Sequence, residues 1–334
     1  MGLTLPLDRR MKKLQYVLKN PWVETGIIIS MLAVVWLIVF TPDRPSLKDL
    51  TTHAFEAVLI FLGSAMLFMV LNRPRIMFIC LALCAVLCLF LKAKSNSGIQ
   101  TFFTNKEKEF SICQVVINYG ADEFESLSNR LIESEADILN IQELTPEWSL
   151  ILKNALKEQY PHQVELKRID PYGMMVFSRY PILNHEVLVY SDTSRAYQIP
   201  LVKLKLKVET DTIQFFGCHV LPRMNKLDFD KVQFFLDSVA QWAVKENLTT
   251  LIAGDFNLTP WDFTLQKFIT DTRLNLSQRE PHLFVQPFEH ILHSNSILCN
   301  KLVEVQTNTG LHLGIQGYYT FKTIADQATL PKKY

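Results

Sequence analysis

Three long apolar runs near the amino terminus constrain this chain most strongly, because such runs must be buried in a core or in lipid. They occupy about residues 23–40, 55–72 and 76–92. Each is close to the roughly 20 residues that a helix needs to cross a bilayer. A signal peptide would explain one run but not three, and no small-residue cleavage site follows the first run. We therefore predict three transmembrane helices, with a buried helical hairpin of a soluble core as the alternative.

Basic residues flank two of these segments and predict their orientation. Five of them stand between Arg9 and Lys19, and Arg73 and Arg75 lie in the short turn between the second and third spans. Short loops rich in Lys and Arg stay in the cytoplasm. We expect a cytoplasmic amino terminus and a large domain on the non-cytoplasmic side, although two lysines after the third span argue the other way.

The remainder of the chain reads as one further domain. Residues 93–107 are polar and predict a linker, which divides a membrane region at 1–92 from a domain at 108–334. The second part has 22 basic and 27 acidic residues, so it lacks the excess positive charge typical of non-specific duplex DNA binding. The six cysteines have no CxxC spacing, which excludes a zinc site of that type.

Short β-type runs alternate with helical segments in this second part. Successive hairpins mixed with helices predict an α/β sandwich rather than a Rossmann sheet. The predicted strands are 110–116, 138–141, 174–177, 201–208, 213–216, 251–253, 291–292 and 303–305, and the predicted helices are 123–133, 146–157, 226–245 and 260–269.

Polar side chains follow the apolar strand at 251–253. Strand alternation would put Asp255 and Asn257 on one face, and Thr259-Pro260 would start the next helix. A carboxylate held in this way can orient and deprotonate a water, while a carboxamide can donate to a phosphoryl oxygen. The alternative is an ordinary Asx-rich turn.

Three more strand ends repeat this pattern. Glu143 follows the strand at 138–141 and suits a hard divalent cation, which prefers oxygen ligands. His219 follows the strand at 213–216 and could contact a phosphate or act as an acid, although a structural histidine is the commoner case. Asn118 follows the strand at 110–116.

In this order the four strand ends resemble the endonuclease/exonuclease/phosphatase superfamily, which has the DNase I-like fold. The matching residues are Asn118, Gln142-Glu143, Gly173, Ser178-Arg179-Tyr180-Pro181, His219 and Gly254-Asp255-Phe256-Asn257. The resemblance implies a four-layer sandwich of two packed β-sheets flanked by helices. It also implies a Mg²⁺-dependent phosphoesterase, since members cleave nucleic acids, phosphoinositides, sphingomyelin or related esters.

The resemblance further implies roles for these residues. Glu143 would bind Mg²⁺, or Mn²⁺ as an alternative, with help from Asn118. Asp255 and Asn257 would handle the nucleophilic water and the phosphate, and His219 would contact the phosphoryl group. Spans that lead into such a domain look like a bacterial membrane-anchored branch, which implies a multi-pass protein of the inner (plasma) membrane.

The chain departs from the family pattern near its carboxyl end. Family members have a Ser-Asp-His triplet there, but no Asp-His pair occurs in the corresponding stretch from Leu311 to Tyr319. Glu289 stands where the family has an acidic residue that orients the histidine. Either the tail is altered, or His290 or His312 takes the missing role, or the domain binds metal or phosphate without turnover.

These observations lead to one hypothesis and one alternative. The hypothesis is a membrane-anchored, metal-dependent phosphoesterase that acts on a phospholipid headgroup or a nucleic acid, with activity reduced by the missing pair. The membrane anchor and the acidic domain favour a lipid headgroup. The alternative is a non-catalytic membrane module that binds a phosphorylated ligand or a protein partner. Arg223 is a further candidate for contact with phosphate, although an ordinary surface arginine is the commoner case.

Overall fold

The computed structural model describes residues 16–18, 20–40, 47–95, 109–117, 124–192, 197–224, 226–277, 287–307 and 310–322. The contacts divide the chain into two units. One unit is Met1–Ser95 with Pro260–Gln266, and the other is Asn96–Thr259 with Lys267–Tyr334. The predicted domain limits at residues 92 and 108 stay a prediction.

The first unit contains three apolar helices, α1 (Pro21–Val39), α2 (Ala54–Val70) and α3 (Pro74–Ser95), and a short 3-10 helix at Lys48–Thr51. The side chain of Asn20 caps α1 by accepting the N–H of Trp22 at 3.0 Å. By length and composition, α1 and α3 could cross a membrane, whereas α2 has only 17 residues. Two of the three predicted spans therefore have the length and composition of a membrane-crossing helix, and the prediction of three spans stays a prediction.

The outward faces of these helices are apolar. Only 11% of the most apolar window of α1 and 28% of that of α3 are buried. Large side chains such as Ile29, Trp36, Ile60, Met66 and Phe78 are exposed. A helix on the surface of a soluble protein would instead carry polar residues on its outer face.

Within the described residues the second unit contains twelve strands, three whole helices and the later part of a fourth helix whose first residues belong to the first unit. The helices are α4 (Phe124–Glu133), α5 (Pro146–Leu156), α6 (Lys226–Val244) and α7 (Phe263–Thr272). The strands are β1 (Phe110–Val116), β2 (Ile138–Gln142), β3 (His162–Leu166), β4 (Met174–Ser178), β5 (Ile182–Asp192), β6 (Tyr197–Val208), β7 (Asp211–Gly217), β8 (Thr249–Asp255), β9 (Asn275–Leu276), β10 (Glu289–His293), β11 (Ile297–Gln306) and β12 (His312–Phe321).

The strands form two mixed sheets of six. The first has the order β11-β12-β1-β2-β4-β3, and the second has the order β5-β6-β7-β8-β10-β9. Among the strands that the structure describes, β1–β2 and β7–β8 are the parallel pairs. Apolar residues of both sheets, among them Ile112, Ile138, Leu204 and Leu251, share one buried cluster, so the sheets pack face to face.

Helices cover the outer faces of both sheets. Leu131 of α4 and Trp148 of α5 are buried against Leu139 of β2 and other residues of the first sheet. On the second sheet, the ring of Phe235 in α6 lies 6.2 Å from that of Tyr190 in β5. Two packed mixed sheets flanked by helices confirm the architecture that the sequence predicted.

The local predictions differ from the structure in two respects. The predicted helix start at Pro260 is wrong, because α7 begins at Phe263 and Asp262 accepts the N–H of Thr264 at 2.8 Å. The strands β3, β5, β9 and β12 were not predicted. The segment 325–334 lies outside the described residues, and β12 is the last strand that the structure describes.

One edge of the sandwich collects the strand ends that carry the predicted site residues. The parallel strands β1 and β2 end there, as do β7 and β8. The antiparallel strands β10 and β12 begin at the same edge, since Glu289 pairs with Asp255 and Gly314 pairs with Val115. We call it the site edge.

Candidate active site

Three buried amide side chains link the two sheets beneath the site edge. Gln114 of β1, and Asn140 and Gln142 of β2, replace apolar residues at inward-facing positions and are fully buried. Asn140 Nδ2 donates to Gln114 Oε1 at 2.5 Å, and Gln114 Nε2 donates to Gln142 Oε1 at 2.9 Å. We call these three residues the amide bridge.

The amide bridge also reaches the second sheet. Gln142 Nε2 donates to the carbonyl oxygen of Cys218 at 2.9 Å, and Gln142 Oε1 accepts the N–H of Asp255 at 2.9 Å. Asn140 Nδ2 donates to the carbonyl oxygen of Ala253 at 3.2 Å. Hydrogen bonds in a buried, low-dielectric setting hold their partners firmly. The bridge therefore fixes the ends of β7 and β8 relative to the end of β2.

Asp255 is held by the residue two positions after it. Its Oδ1 accepts the N–H of Asn257 at 2.9 Å, and its Oδ2 accepts from Asn257 Nδ2 at 3.1 Å. Asn257 has a left-handed backbone with φ 49°, so a turn brings the two side chains together rather than the predicted strand alternation. Asn257 Nδ2 also donates to the carbonyl oxygen of Val220 at 2.8 Å. Both amide hydrogens are engaged, and Asn257 thus orients Asp255.

The electrostatic setting of Asp255 favours its neutral form. Burial raises the pKa of Asp255 to about 7, and the charges of Glu289 and Glu143 act in the same direction. The hydrogen bonds from Asn257 oppose this increase. A carboxyl group that titrates near neutral pH is suited to take up and release a proton.

Two glycines of the motif are required by close backbone contacts. A Cβ on Gly254 would lie 1.7 Å from the carbonyl oxygen of Cys218, and one on Gly173 would lie 2.1 Å from that of Leu144. Real Cβ atoms do not approach so closely. These glycines let the ends of β7 and β8, and the turn that carries Glu143, come together.

Glu143 and His219 lie side by side at the site edge. Glu143 follows β2 in a left-handed conformation with φ 57°, and burial raises the pKa of its carboxyl group. His219 is fully buried, and its Nε2 lies 3.5 Å from Glu143 Oε1. Burial lowers the pKa of His219 to about 4, so the ring is neutral at pH 7 and the contact is not an ion pair. Within the described residues neither ring nitrogen of His219 has a hydrogen-bond partner.

The donor set at this point suits magnesium better than a transition metal. Across the ranges that the structure describes, no group of three or more His, Cys, Asp or Glu side chains is arranged around a metal position. Mg²⁺ keeps several waters and needs only one or two carboxylates together with substrate phosphate. Glu143 can be one of these ligands, and the unbonded nitrogens of the buried His219 are available to hydrogen-bond an anion beside it. Asn118, the second predicted ligand, lies outside the described residues.

His312 contacts Glu289, the acidic residue beside Asp255. Glu289 stands directly opposite Asp255 across the β8–β10 pair, and its Oε2 lies 2.6 Å from His312 Nε2. Glu304 Oε1 lies 2.5 Å from His312 Nδ1. Burial alone would lower the pKa of His312, but the hydrogen bonds and charges of Glu289 and Glu304 raise it.

His290 lies elsewhere. It is paired with Gly254 rather than Asp255, and its side chain is buried beside the ring of Phe256 at 5.8 Å. Its Nε2 is 2.6 Å from the carbonyl oxygen of Leu258. Neighbouring residues of a strand face opposite sides of the sheet. Of the two alternatives that the sequence left open, the geometry therefore favours His312.

The candidate Arg223 and the motif residue Arg179 occupy different places. The guanidinium of Arg223 lies over the ring of Phe229, 4.1 Å from its centre, in the segment between β7 and α6. Arg179 Nη1 lies 3.7 Å from Asp137 Oδ1, next to the start of β2. Since β2 ends at the site edge, Arg179 and the segment from Ser178 onward lie at the opposite edge.

Sequence reasoning missed three residues of this arrangement. Gln114 and Asn140 had a detectable signal, because each is an amide at an alternating, core-facing position of an apolar strand. Glu304 had none, since a glutamate within a partly exposed strand is ordinary.

Comparison with known proteins supports the fold. A family model described as the Endonuclease/Exonuclease/phosphatase family matches residues 113–324. An endonuclease/exonuclease/phosphatase from Beutenbergia cavernae superposes with a TM-score of 0.54 at 12% identity, covering 64% of this chain and 72% of that one. The human Nocturnin catalytic domain with bound sulfate gives 0.53 at 14%, covering 64% and 95%. Humanized D. rerio TDP2 gives 0.50 at 15%, covering 64% and 99%. Comparison with curated protein sequences gives no match.

Proposed function

The chain belongs to the Endonuclease/Exonuclease/phosphatase family, whose members hydrolyse phosphate esters, and we propose that it is a membrane-anchored phosphoesterase dependent on a divalent metal ion. One observation carries this proposal. The carboxyl group of Asp255 has a pKa of about 7, and the backbone N–H of the same residue donates to Gln142, whose neighbour Glu143 is the candidate metal ligand.

The chain's own residues can perform the proton transfer. Asp255 accepts a proton from a water as the oxygen of that water bonds to phosphorus, and the ester P–O bond breaks with its leaving oxygen taking up a proton. Asn257 holds both oxygens of Asp255 in place for this step. The neutral His219 can donate one N–H to a phosphoryl oxygen.

Glu143, with Asn118 as a second ligand, would hold the metal ion. Bound Mg²⁺, or Mn²⁺ in its place, would supply positive charge that polarises the phosphoryl group. His219 lies next to Glu143 and would face the same phosphate. His312, oriented by Glu289, would contact the substrate from the opposite side of Asp255.

The helices of the first unit support a membrane anchor. At about 1.5 Å per residue, α1 and α3 extend over roughly 28 and 33 Å, against about 30 Å of bilayer hydrocarbon, and α2 is slightly shorter. Glu24, near the start of α1, lies 3.7 Å from Arg73 in the turn between α2 and α3. Any arrangement of three spans brings these two ends to the same side, so the contact is consistent with three spans. The basic flanks favour the cytoplasm for that side.

The first test compares turnover of the wild type with that of Asp255→Asn. Full-length protein in detergent micelles would be assayed on bis(p-nitrophenyl) phosphate with Mg²⁺, with Mn²⁺ and with chelator. We expect metal-dependent hydrolysis that falls by about 10²–10⁴-fold in Asp255→Asn. Asp271→Asn is the matched control, because Asp271 is an exposed acid paired with Lys267 and away from the site edge.

The results separate the two functional alternatives. Equal rates in wild type and Asp255→Asn would contradict the proposed chemistry. Phosphate binding without turnover in the wild type under either metal would favour the non-catalytic module. Parallel assays with phospholipid vesicles and with single- and double-stranded DNA would then distinguish a headgroup from a nucleic acid as substrate.

The anchor is tested by fractionation. After extraction of membranes with alkaline carbonate, the full-length chain should remain in the pellet. Its appearance in the supernatant would contradict transmembrane insertion. Protease protection of the second unit in intact spheroplasts then reports on which side of the membrane it lies.

A further inference from the structure

His312 lies between two carboxylates that come from different sheets. Glu289 belongs to β10 of the second sheet and contacts Nε2 at 2.6 Å, whereas Glu304 belongs to β11 of the first sheet and contacts Nδ1 at 2.5 Å. The side chains of Glu289 and Glu304 are 8% and 17% exposed, and that of His312 is 35% exposed. The contact with Glu289 is therefore partly buried, whereas the contact with Glu304 lies on the exposed side of the ring.

These two contacts determine which protons the ring carries. An ionised carboxylate can only accept hydrogen bonds, so a ring nitrogen at this distance from it must be the donor. With a carboxylate on each nitrogen, both nitrogens carry hydrogen and the ring is an imidazolium. Charge-assisted hydrogen bonds of this kind are short and strong. An imidazolium has no lone pair left with which to accept a proton.

Glu289 from β10 and Glu304 from β11 are charged groups that face His312. Asp255 of β8 lies next to Glu289 in the sheet. Glu289 alone would orient the ring and leave Nδ1 free to accept a proton. Glu304 prevents Nδ1 from accepting a proton, because it holds a hydrogen on that nitrogen.

We propose that Glu304 is a positioning residue that keeps His312 protonated on both nitrogens, so that His312 serves the reaction as a cation and not as a general base. The inference rests on the proposed function. A phosphate oxygen of the substrate would take over Nδ1 from Glu304, the more exposed of the two carboxylates, and one anionic acceptor would replace another. His312 then stabilises negative charge on the phosphoryl group.

The two roles predict opposite pH behaviour. A required imidazolium is present below the pKa of His312, so activity falls as the pH rises through that pKa. A required general base would instead lose activity as the pH falls through it. Glu304→Gln removes one of the two negative charges and lowers the pKa of His312. In the cationic role the alkaline limb of the kcat/KM profile moves to lower pH, whereas in the basic role the acidic limb would move.

The experiment follows the ring directly and does not depend on turnover. Full-length protein with ¹⁵N-labelled histidine in detergent micelles would be titrated by two-bond ¹H–¹⁵N correlation, with His312 assigned from the His312→Gln spectrum. We expect both His312 nitrogens protonated at pH 7 in the wild type. Glu304→Gln should lower the pKa of His312 by about one or more, a tenfold change in its protonation equilibrium. Glu304→Asp should keep it raised.

Glu186→Gln is the control, since Glu186 is an exposed acid on β5. An unprotonated nitrogen of His312 at pH 7 in the wild type would overturn the proposal even if Glu304→Gln does not fold. An unchanged pKa and an unmoved alkaline limb in Glu304→Gln would overturn it as well. The proposed function fails by a different result, namely undiminished turnover in Asp255→Asn.

Discussion

The side-chain oxygen of Gln142 accepts the backbone N–H of Asp255 at 2.9 Å, although 113 residues separate the two in sequence. This bond joins the end of β2 in one sheet to the end of β8 in the other. Since Glu143 is the next residue after Gln142, the same bond sets the separation of the candidate metal ligand and the candidate proton acceptor.

Replacement of Gln142 by leucine should reduce turnover more than stability. A buried N–H left without a partner costs about 1–3 kcal/mol. A small displacement of Asp255 can cost up to about 10²-fold in rate. Gln214→Leu is the control, because Gln214 is also fully buried and donates to Ala243 and Thr250, away from the site edge. Urea midpoints and kcat would be measured for both variants. A similar loss of kcat in both would contradict a positioning role for Gln142.

The two candidate histidines should respond differently to alanine. His312→Ala removes the cation beside Glu289 and should lower kcat/KM by about 10²–10³-fold, the usual cost of losing one group that stabilises negative charge on the reacting centre. His290→Ala should leave kcat/KM within a few-fold and lower stability instead, because His290 is a buried residue whose Nε2 bonds the carbonyl of Leu258. Steady-state kinetics and unfolding of both variants test this assignment. A larger loss of kcat/KM in His290→Ala than in His312→Ala would instead assign the role of the missing family histidine to His290.

Removal of the metal should abolish hydrolysis, and Mg²⁺ should restore it. In Glu143→Gln the Mg²⁺ concentration for half-maximal activity should increase, because a neutral amide is a weaker ligand than a carboxylate for a hard cation. Glu165→Gln is a suitable comparison, since Glu165 on β3 pairs with Lys153. Full activity after exhaustive chelation would contradict metal dependence.

The buried His293 should make the fold sensitive to mild acid. Burial lowers the pKa of His293 to about 4, so the folded state keeps the ring neutral while the unfolded chain takes up a proton below about 6.5. Its contribution to stability is complete above pH 6.5 and is lost as the pH falls towards 4, by roughly 3 kcal/mol in total.

Urea unfolding of the full-length chain at pH 7.5 and pH 5 measures this loss. His293→Phe, which keeps a ring beside Tyr319, should lose less stability between the two values than the wild type. His185→Phe is the control, because His185 is exposed on β5. Equal losses in wild type and His293→Phe would contradict the assignment.

The sequence predicted the architecture because the patterns behind it are local. Apolar runs define the helices of the first unit, and strands such as β1 and β8 appear as continuous apolar segments that end in polar residues. The start of α5 was also predictable from local sequence. Thr145, directly before Pro146, caps the helix by accepting the N–H of Trp148. The edge strand β5 was not predicted, because its exposed residues of mixed composition differ little from those of a loop.

The candidate site was predictable as a set of strand ends but not as a set of contacts. The order of motifs pointed to Glu143, His219 and Asp255, and the topology brings them to one edge. That Asn257 turns back onto Asp255 depends on a left-handed backbone, which a sequence of apolar strand and polar turn does not specify.

The sequence by itself determined which segments are apolar helices, which strands end in polar side chains, and the family to which these ends belong. The tertiary structure alone decided that Gln114 and Asn140 bridge the sheets, that His312 rather than His290 meets Glu289, and that Glu304 occupies the second nitrogen of His312. The physical reason is distance along the chain. The periodicity of burial can be recognised from neighbouring residues in the sequence. Each of these contacts instead joins separate strands, so the side-chain partners are defined only when the sheets pack.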